Sequence, residues 1–132
     1  MIRETETKAI KKARTCYDHF AGEFGVALTQ ALVKKSILIE GGRDFLVTDT
    51  GLLLLKNFGI NMDEIKRSKR SFSRKCLDGT EKKYHLGGSL GKAIVHKFYE
   101  LEWVEPRKDC RAVNVTPIGR LNMEKYFNLI FG

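Results

Sequence analysis

A ten-residue pattern occurs twice in this chain, and that repetition limits the fold more than any other feature. His19-Phe20-Ala21-Gly22-Glu23-Phe24-Gly25-Val26-Ala27-Leu28 returns 66 residues later as His85-Leu86-Gly87-Gly88-Ser89-Leu90-Gly91-Lys92-Ala93-Ile94. Both copies read His, apolar, small, Gly, x, apolar, Gly, x, Ala, apolar. Downstream, Phe45-Leu46-Val47-Thr48-x-x-Gly51 is matched by Val113-Asn114-Val115-Thr116-x-x-Gly119. One duplicated supersecondary unit accounts for both matches. Two copies are too few for a solenoid, so they are expected to pair around one shared core. At 132 residues and 42% hydrophobic, the chain has material for one such core without disulfide or metal staples. The expectation is a single domain over 1–132: repeat one over about 6–60, a basic linker over about 61–77, and repeat two over about 78–128.

Apolar periodicity supplies the elements. Ile10, Ala13, Tyr17, Phe20, Phe24, Ala27 and Ala31 step by three and four, which predicts one long helix from about Glu6 to Lys35. Gly22 and Gly25 inside it cost about 1 kcal/mol each relative to Ala, so close approach of another backbone is expected to compensate. In the second copy Asp78-Gly79-Thr80-Glu81 reads as a capping box, opening a helix with Leu86, Leu90, Ala93, Ile94, Phe98 and Leu101 on its apolar face. The two long helices are then expected to cross at Gly22, Gly25, Gly88 and Gly91. After each comes a hairpin and a further helix. Val104-Glu105 turns through Pro106-Arg107-Lys108-Asp109 into Ala112-Val113-Asn114-Val115, and Thr116-Pro117 opens a helix with a cap and a first-turn proline. Ile37-Leu38-Ile39, Gly41-Gly42 and Phe45-Leu46-Val47-Thr48 repeat that plan. The predicted class is α+β, mainly helical, with two pseudo-symmetric winged-helix-like repeats of long helix, two-stranded wing and helix.

Charge narrows the function. Twenty-four Lys and Arg against sixteen Asp and Glu leave a net charge of +8, which favours an anionic partner such as DNA. Arg107, Lys108 and Arg111 flank the second wing, with Lys34, Lys35 and Arg43 as approximate counterparts in the first, at positions suited to phosphate contacts. The run Lys66-Arg67-Ser68-Lys69-Arg70 with Arg74-Lys75 reads either as a solvated linker or as a phosphate-contacting patch. No helix carries an Arg, Asn and Gln set suited to base edges. Three cysteines without framework spacing indicate reduced thiols, and a charged start with no long apolar run indicates a cytoplasmic protein without a membrane segment.

Cys16-x-x-His19 lies one helical turn apart, a spacing at which thiolate and imidazole can share a divalent metal ion, and Cys76 and His85 could complete the ligand set if the helices cross. The same residues also read as buried thiols and hydrogen-bonded imidazoles. Catalysis is not expected. The sequence has no nucleotide loop, no Gly-x-Ser-x-Gly elbow and no acidic metal cluster.

Ala13-Arg14-Thr15-Cys16-Tyr17-Asp18-His19-x-Ala21-Gly22, then Cys76-Leu77-Asp78 and His85-Leu86-x-Gly88-x-Leu90-Gly91, resemble the C-terminal region of a subgroup of ArsR-type winged-helix transcriptional regulators. In that subgroup the pattern runs Ala-Arg-Thr-Cys-Tyr-Asp-His-Leu-Ala-Gly, later Cys-Leu-Asp-Trp, then His-Leu-Ala-Gly-x-Leu-Gly. The likeness extends from Ala13 to Gly119, with Gly79 standing where the subgroup has Trp. It implies a C-terminal regulatory domain, for effector sensing or dimerisation, in a helix-turn-helix regulator. DNA would be its partner directly or through the N-terminal winged helix that such regulators carry and that has no counterpart in these residues. A homodimer is the assembly such a role implies. The alternative is a winged-helix domain that itself binds DNA through its basic wings.

Overall fold

The computed structural model describes residues 4–66 and 72–131; Arg67, Ser68, Lys69 and Arg70 of the basic run, and Ser71, lie outside the described residues. Helix α1 (Glu4–Lys12) leads into a hairpin of β1 (Arg14–Cys16) and β2 (His19–Ala21), then α2 (Gly22–Lys34), a wing of β3 (Leu38–Glu40) and β4 (Phe45–Val47), and α3 (Asp49–Asn57). After the short α4 (Met62–Lys66) the same order returns: hairpin β5 (Lys75–Leu77) and β6 (Tyr84–Leu86), α5 (Gly88–Glu100), wing β7 (Val104–Pro106) and β8 (Val113–Val115), and α6 (Pro117–Phe127). Among the described residues there are four sheets, each two-stranded and antiparallel. The α+β class with winged-helix-like repeats holds.

The extents of the long helices do not. The predicted helix from Glu6 to Lys35 is two helices separated by a hairpin, because the chain reverses at Tyr17-Asp18, where Tyr17 takes a positive φ of 60° and is 89% exposed. Tyr17 fitted the three-four stripe yet sits at a turn tip, so the stripe joined two elements by coincidence. Gly22 and Gly88 have φ of 75° and 72°. Each lets a strand run straight into a helix through a backbone conformation that an L side chain resists. Likewise Asp78-Gly79-Thr80-Glu81 opens no helix. Asp78 does accept from Thr80 N (3.0 Å) and Glu81 N (2.9 Å), but in the turn between β5 and β6, with α5 starting only at Gly88.

The expected crossing of two long helices at four glycines is replaced by helices packed on hairpins. A Cβ on Gly25 would collide with the carbonyl of Phe20, and one on Gly91 would lie 2.8 Å from Leu86 O and 3.0 Å from the Cβ of His19. Helix α2 packs chiefly on β6, and α5 on β2. The wings are exchanged as well. Val113 N donates to Ala13 O (3.0 Å) and Thr15 N to Arg111 O (3.4 Å), so the second wing borders the first hairpin. Phe45 N donates to Ser73 O (2.8 Å) and Lys75 N to Arg43 O (3.2 Å), so the first wing borders the second hairpin. Around this interlock lies a core of Phe24, Leu32, Ile37, Leu38, Leu55, Leu90, Phe98 and Met123, in which Phe98 contacts Phe20 at 5.6 Å and Trp103 at 5.0 Å between ring centroids. The predicted caps are present: Thr48 accepts from Gly51 N (2.8 Å) and Thr116 from Gly119 N (3.0 Å).

Candidate metal centre

Hairpin register builds the site. Cys16 is paired with His19 across the first hairpin and Cys76 with His85 across the second. Directly opposed residues of an antiparallel pair project on the same face with Cβ atoms about 5 Å apart, so each hairpin presents a thiol and an imidazole side by side. The spacing read as one helical turn is therefore a cross-strand pair. With β2 against β6, His19 Nε2 lies 3.0 Å from His85 Nε2. One ligand atom from each of the four residues lies within 4.8 Å of the others, the histidines buried and the cysteines half-buried. All three cysteines are thiols, and Cys110 stands apart on the second wing.

Behind the histidines lies a carboxylate. Asp78 is fully buried and accepts from His85 Nδ1 (3.0 Å), Gly22 N at the start of α2 (2.7 Å), Thr80 N, Thr80 Oγ1 (2.9 Å), Glu81 N and both contacts of Arg14 Nη2 (3.3 Å). Burial by itself raises its pKa, but the N–H donors of Glu81 and Gly22 and the Thr80 donors outweigh that and hold the carboxyl well below the usual carboxylate range. The ion pair it makes with Arg14, itself 5% exposed, neutralises both charges inside the protein. Burial, helped by the neighbouring His19, lowers His85 to about 4, so its ring is neutral near pH 7. An anionic acceptor at Nδ1 places the proton there and leaves the Nε2 lone pair facing the centre. His19 Nδ1 lies 3.5 Å from Asp18 Oδ1 in the corresponding place. Burial, with Cys16 beside it, pushes the Cys76 thiol up to about 11.

The buried Arg14–Asp78 pairing is absent from the candidate site residues read from the sequence, where Asp78 stood only as a helix cap. The signal was there. Arg14 lies two residues before Cys16 and Asp78 two after Cys76, and in a strand such neighbours share a face.

The basic candidates are spread over the surface. Lys34, Arg43, Lys108 and Arg111 are exposed, whereas Lys35 Nζ donates to Tyr126 O (3.0 Å) and Arg107 is held by Asp109 at 2.6 Å. Because the first wing borders the second hairpin, Arg43 shares a groove with Arg74, Lys75 and Tyr84. Lys34 lines a neighbouring groove with Lys82, Lys83 and Tyr84. Among the described residues no helix is long and apolar enough to cross a membrane.

No family model matches the chain, and no solved structure matches it. Over 124 residues it is 37% identical to a protein of Bacillus subtilis (strain 168) named "Uncharacterized HTH-type transcriptional regulator YdfF". That likeness covers 94% of this chain and 55% of the relative, so the chain spans about half the length of the curated protein it resembles.

Proposed function

We propose that this chain is the regulatory part of an HTH-type transcriptional regulator of the ArsR kind, a single domain of two repeats that senses an effector or holds a dimer while DNA is engaged by a winged-helix region elsewhere in the whole regulator. The observation that carries the regulatory role is the 37% identity, over nearly the whole chain, to part of a protein bearing that name. The ArsR assignment rests on the Ala-Arg-Thr-Cys-Tyr-Asp-His, Cys-Leu-Asp and His-Leu strings. The centre that responds is the Cys16/His19/Cys76/His85 cluster, which takes a divalent metal. Such a regulator works in the cytoplasm, and no catalytic role is assigned to any residue. A reporter driven by the regulator's own promoter tests this. Cys76→Ser and His85→Ala should alter the response to metal while promoter occupancy persists; an unaltered response in both variants contradicts the reading.

A second reading is that the chain itself contacts DNA phosphates, favoured by the two basic grooves that meet at Tyr84. Titration of the chain against duplex DNA at several salt concentrations separates the two, since each phosphate neutralised adds about −0.9 to the slope of log affinity against log salt.

A further inference from the structure

We infer that Cys16, His19, Cys76 and His85 form a closed tetrahedral site for one zinc-class ion, held by two thiolates and two imidazole Nε2 atoms, which fastens the first hairpin to the second. Its standing as the effector site rests on the regulatory reading above; the site itself rests on geometry. Two sulfurs and two imidazole nitrogens are the donor set of tetrahedral zinc, whereas calcium and magnesium take oxygen ligands. With Zn–N of about 2.0 Å and Zn–S of about 2.3 Å, the edges of such a tetrahedron run from about 3.3 to 3.8 Å. The four ligand atoms already lie within 4.8 Å of one another, and the two Nε2 atoms are 3.0 Å apart. Small side-chain rotations close that difference.

The surroundings suit an ion as well. Asp78 fixes the His85 proton on Nδ1 and turns its Nε2 lone pair inward, towards the Nε2 of His19. A carboxylate behind a ligating histidine is the outer-shell arrangement of metal sites, where it orients the ring and raises its basicity. Charge also balances. Two thiolates offset a divalent cation, and Asp78 is offset by Arg14. All four ligands come from the protein, so no coordination position is left for substrate, and the ion's work is to join the hairpins. Asp78 also accepts from Gly22 N, which makes it a positioning residue that connects the centre to the first turn of α2.

The test uses the full chain carrying Cys110→Ser, reduced and freed of metal with a chelator. Cobalt(II) is then titrated in and displaced by zinc. The expected result is one equivalent bound, with the ligand-field bands of tetrahedral cobalt, charge transfer from two thiolates, and both remaining thiols protected from alkylation. Cys76→Ser and His85→Ala should lose the spectrum. Asp78→Asn should keep it with affinity reduced about 10- to 100-fold. Because a ligand variant can unfold, thiol protection in the Cys110→Ser protein is the deciding readout. No binding at stoichiometric metal, or an octahedral cobalt spectrum with unprotected thiols, overturns the site and leaves an Asp78–His85–His19 hydrogen-bond chain in its place. If binding fails while reporter variants still alter the response, the site fails and the regulatory reading stands. If tetrahedral binding occurs without any reporter response, the site stands and the regulatory reading of it fails.

Discussion

Replacing Asp78 by alanine withdraws one carboxylate from the donors of Gly22, Thr80, Glu81, His85 and Arg14 together. The largest loss is at Arg14. That guanidinium is 5% exposed, and removing one partner of a buried ion pair costs about 3–5 kcal/mol because the other charge stays inside uncompensated. The buried Gly22 N–H loses its acceptor too, for about 1–3 kcal/mol more. Thr80, exposed at the turn, recovers its bonds from water. Some water entry also softens the first two losses, so the net expectation is about 3–6 kcal/mol, a large share of the roughly 5–15 kcal/mol typical of a native protein. Urea unfolding of the metal-free chain measures this, with the m-value checked for constancy. Arg14→Met combined with Asp78→Ala should be less destabilised than the sum of the single changes by about 1–3 kcal/mol, as for residues that touch directly. A single-variant loss below about 1 kcal/mol, or strict additivity in the double variant, would refute the picture of a buried, mutually dependent pair.

Gly22→Ala and Gly88→Ala should each destabilise by about 1–3 kcal/mol, although alanine is the better helix former, because both positions hold positive φ; an unchanged or raised urea midpoint contradicts this. Thr48→Ala and Thr116→Ala should each cost about 1 kcal/mol because the helix cap is removed, read by thermal or urea unfolding, and no change in either removes the caps from the account. If the chain binds DNA, substituting Lys34, Arg43, Arg74 and Lys75 together should flatten the salt slope by about 0.9 for each phosphate no longer neutralised, whereas an unchanged slope places the DNA on another face.

How much of this was legible depended on what each signal measures. The doubled string, His19 to Leu28 and His85 to Ile94, marked two equivalent units, although their strand–helix junctions were read as helix interior, and the Thr-x-x-Gly echoes marked two capped helices behind two wings, since caps and alternation are local. The hairpins were hidden. Residues Ile10, Ala13, Phe20 and Phe24 keep a helical spacing although a strand pair intervenes, and only Tyr17, exposed at the turn, breaks the logic of the stripe. Asp78 was misread for a related reason. A carboxylate that accepts amides two and three residues ahead looks the same in sequence whether a helix or a hairpin turn follows. Cys16 and His19 were singled out by their three-residue spacing, and Cys76 and His85 as partners across an expected helix crossing, but the geometry that gathers the four candidates came from strand register, which a helical reading could not supply. The Arg14–Asp78 pair joins residues 64 apart; their equal two-residue offsets from Cys16 and Cys76 hint at a shared face, but only the packing of one hairpin on the other makes them partners.

X-ray absorption at the zinc edge of the zinc-loaded chain tests the central claim most directly. The account predicts two sulfur neighbours at about 2.3 Å and two imidazole nitrogens at about 2.0 Å, with the ring signature of histidine in the outer shells. A first shell of oxygen and nitrogen alone, or five to six ligands, would contradict a closed Cys16/His19/Cys76/His85 centre joining the two hairpins.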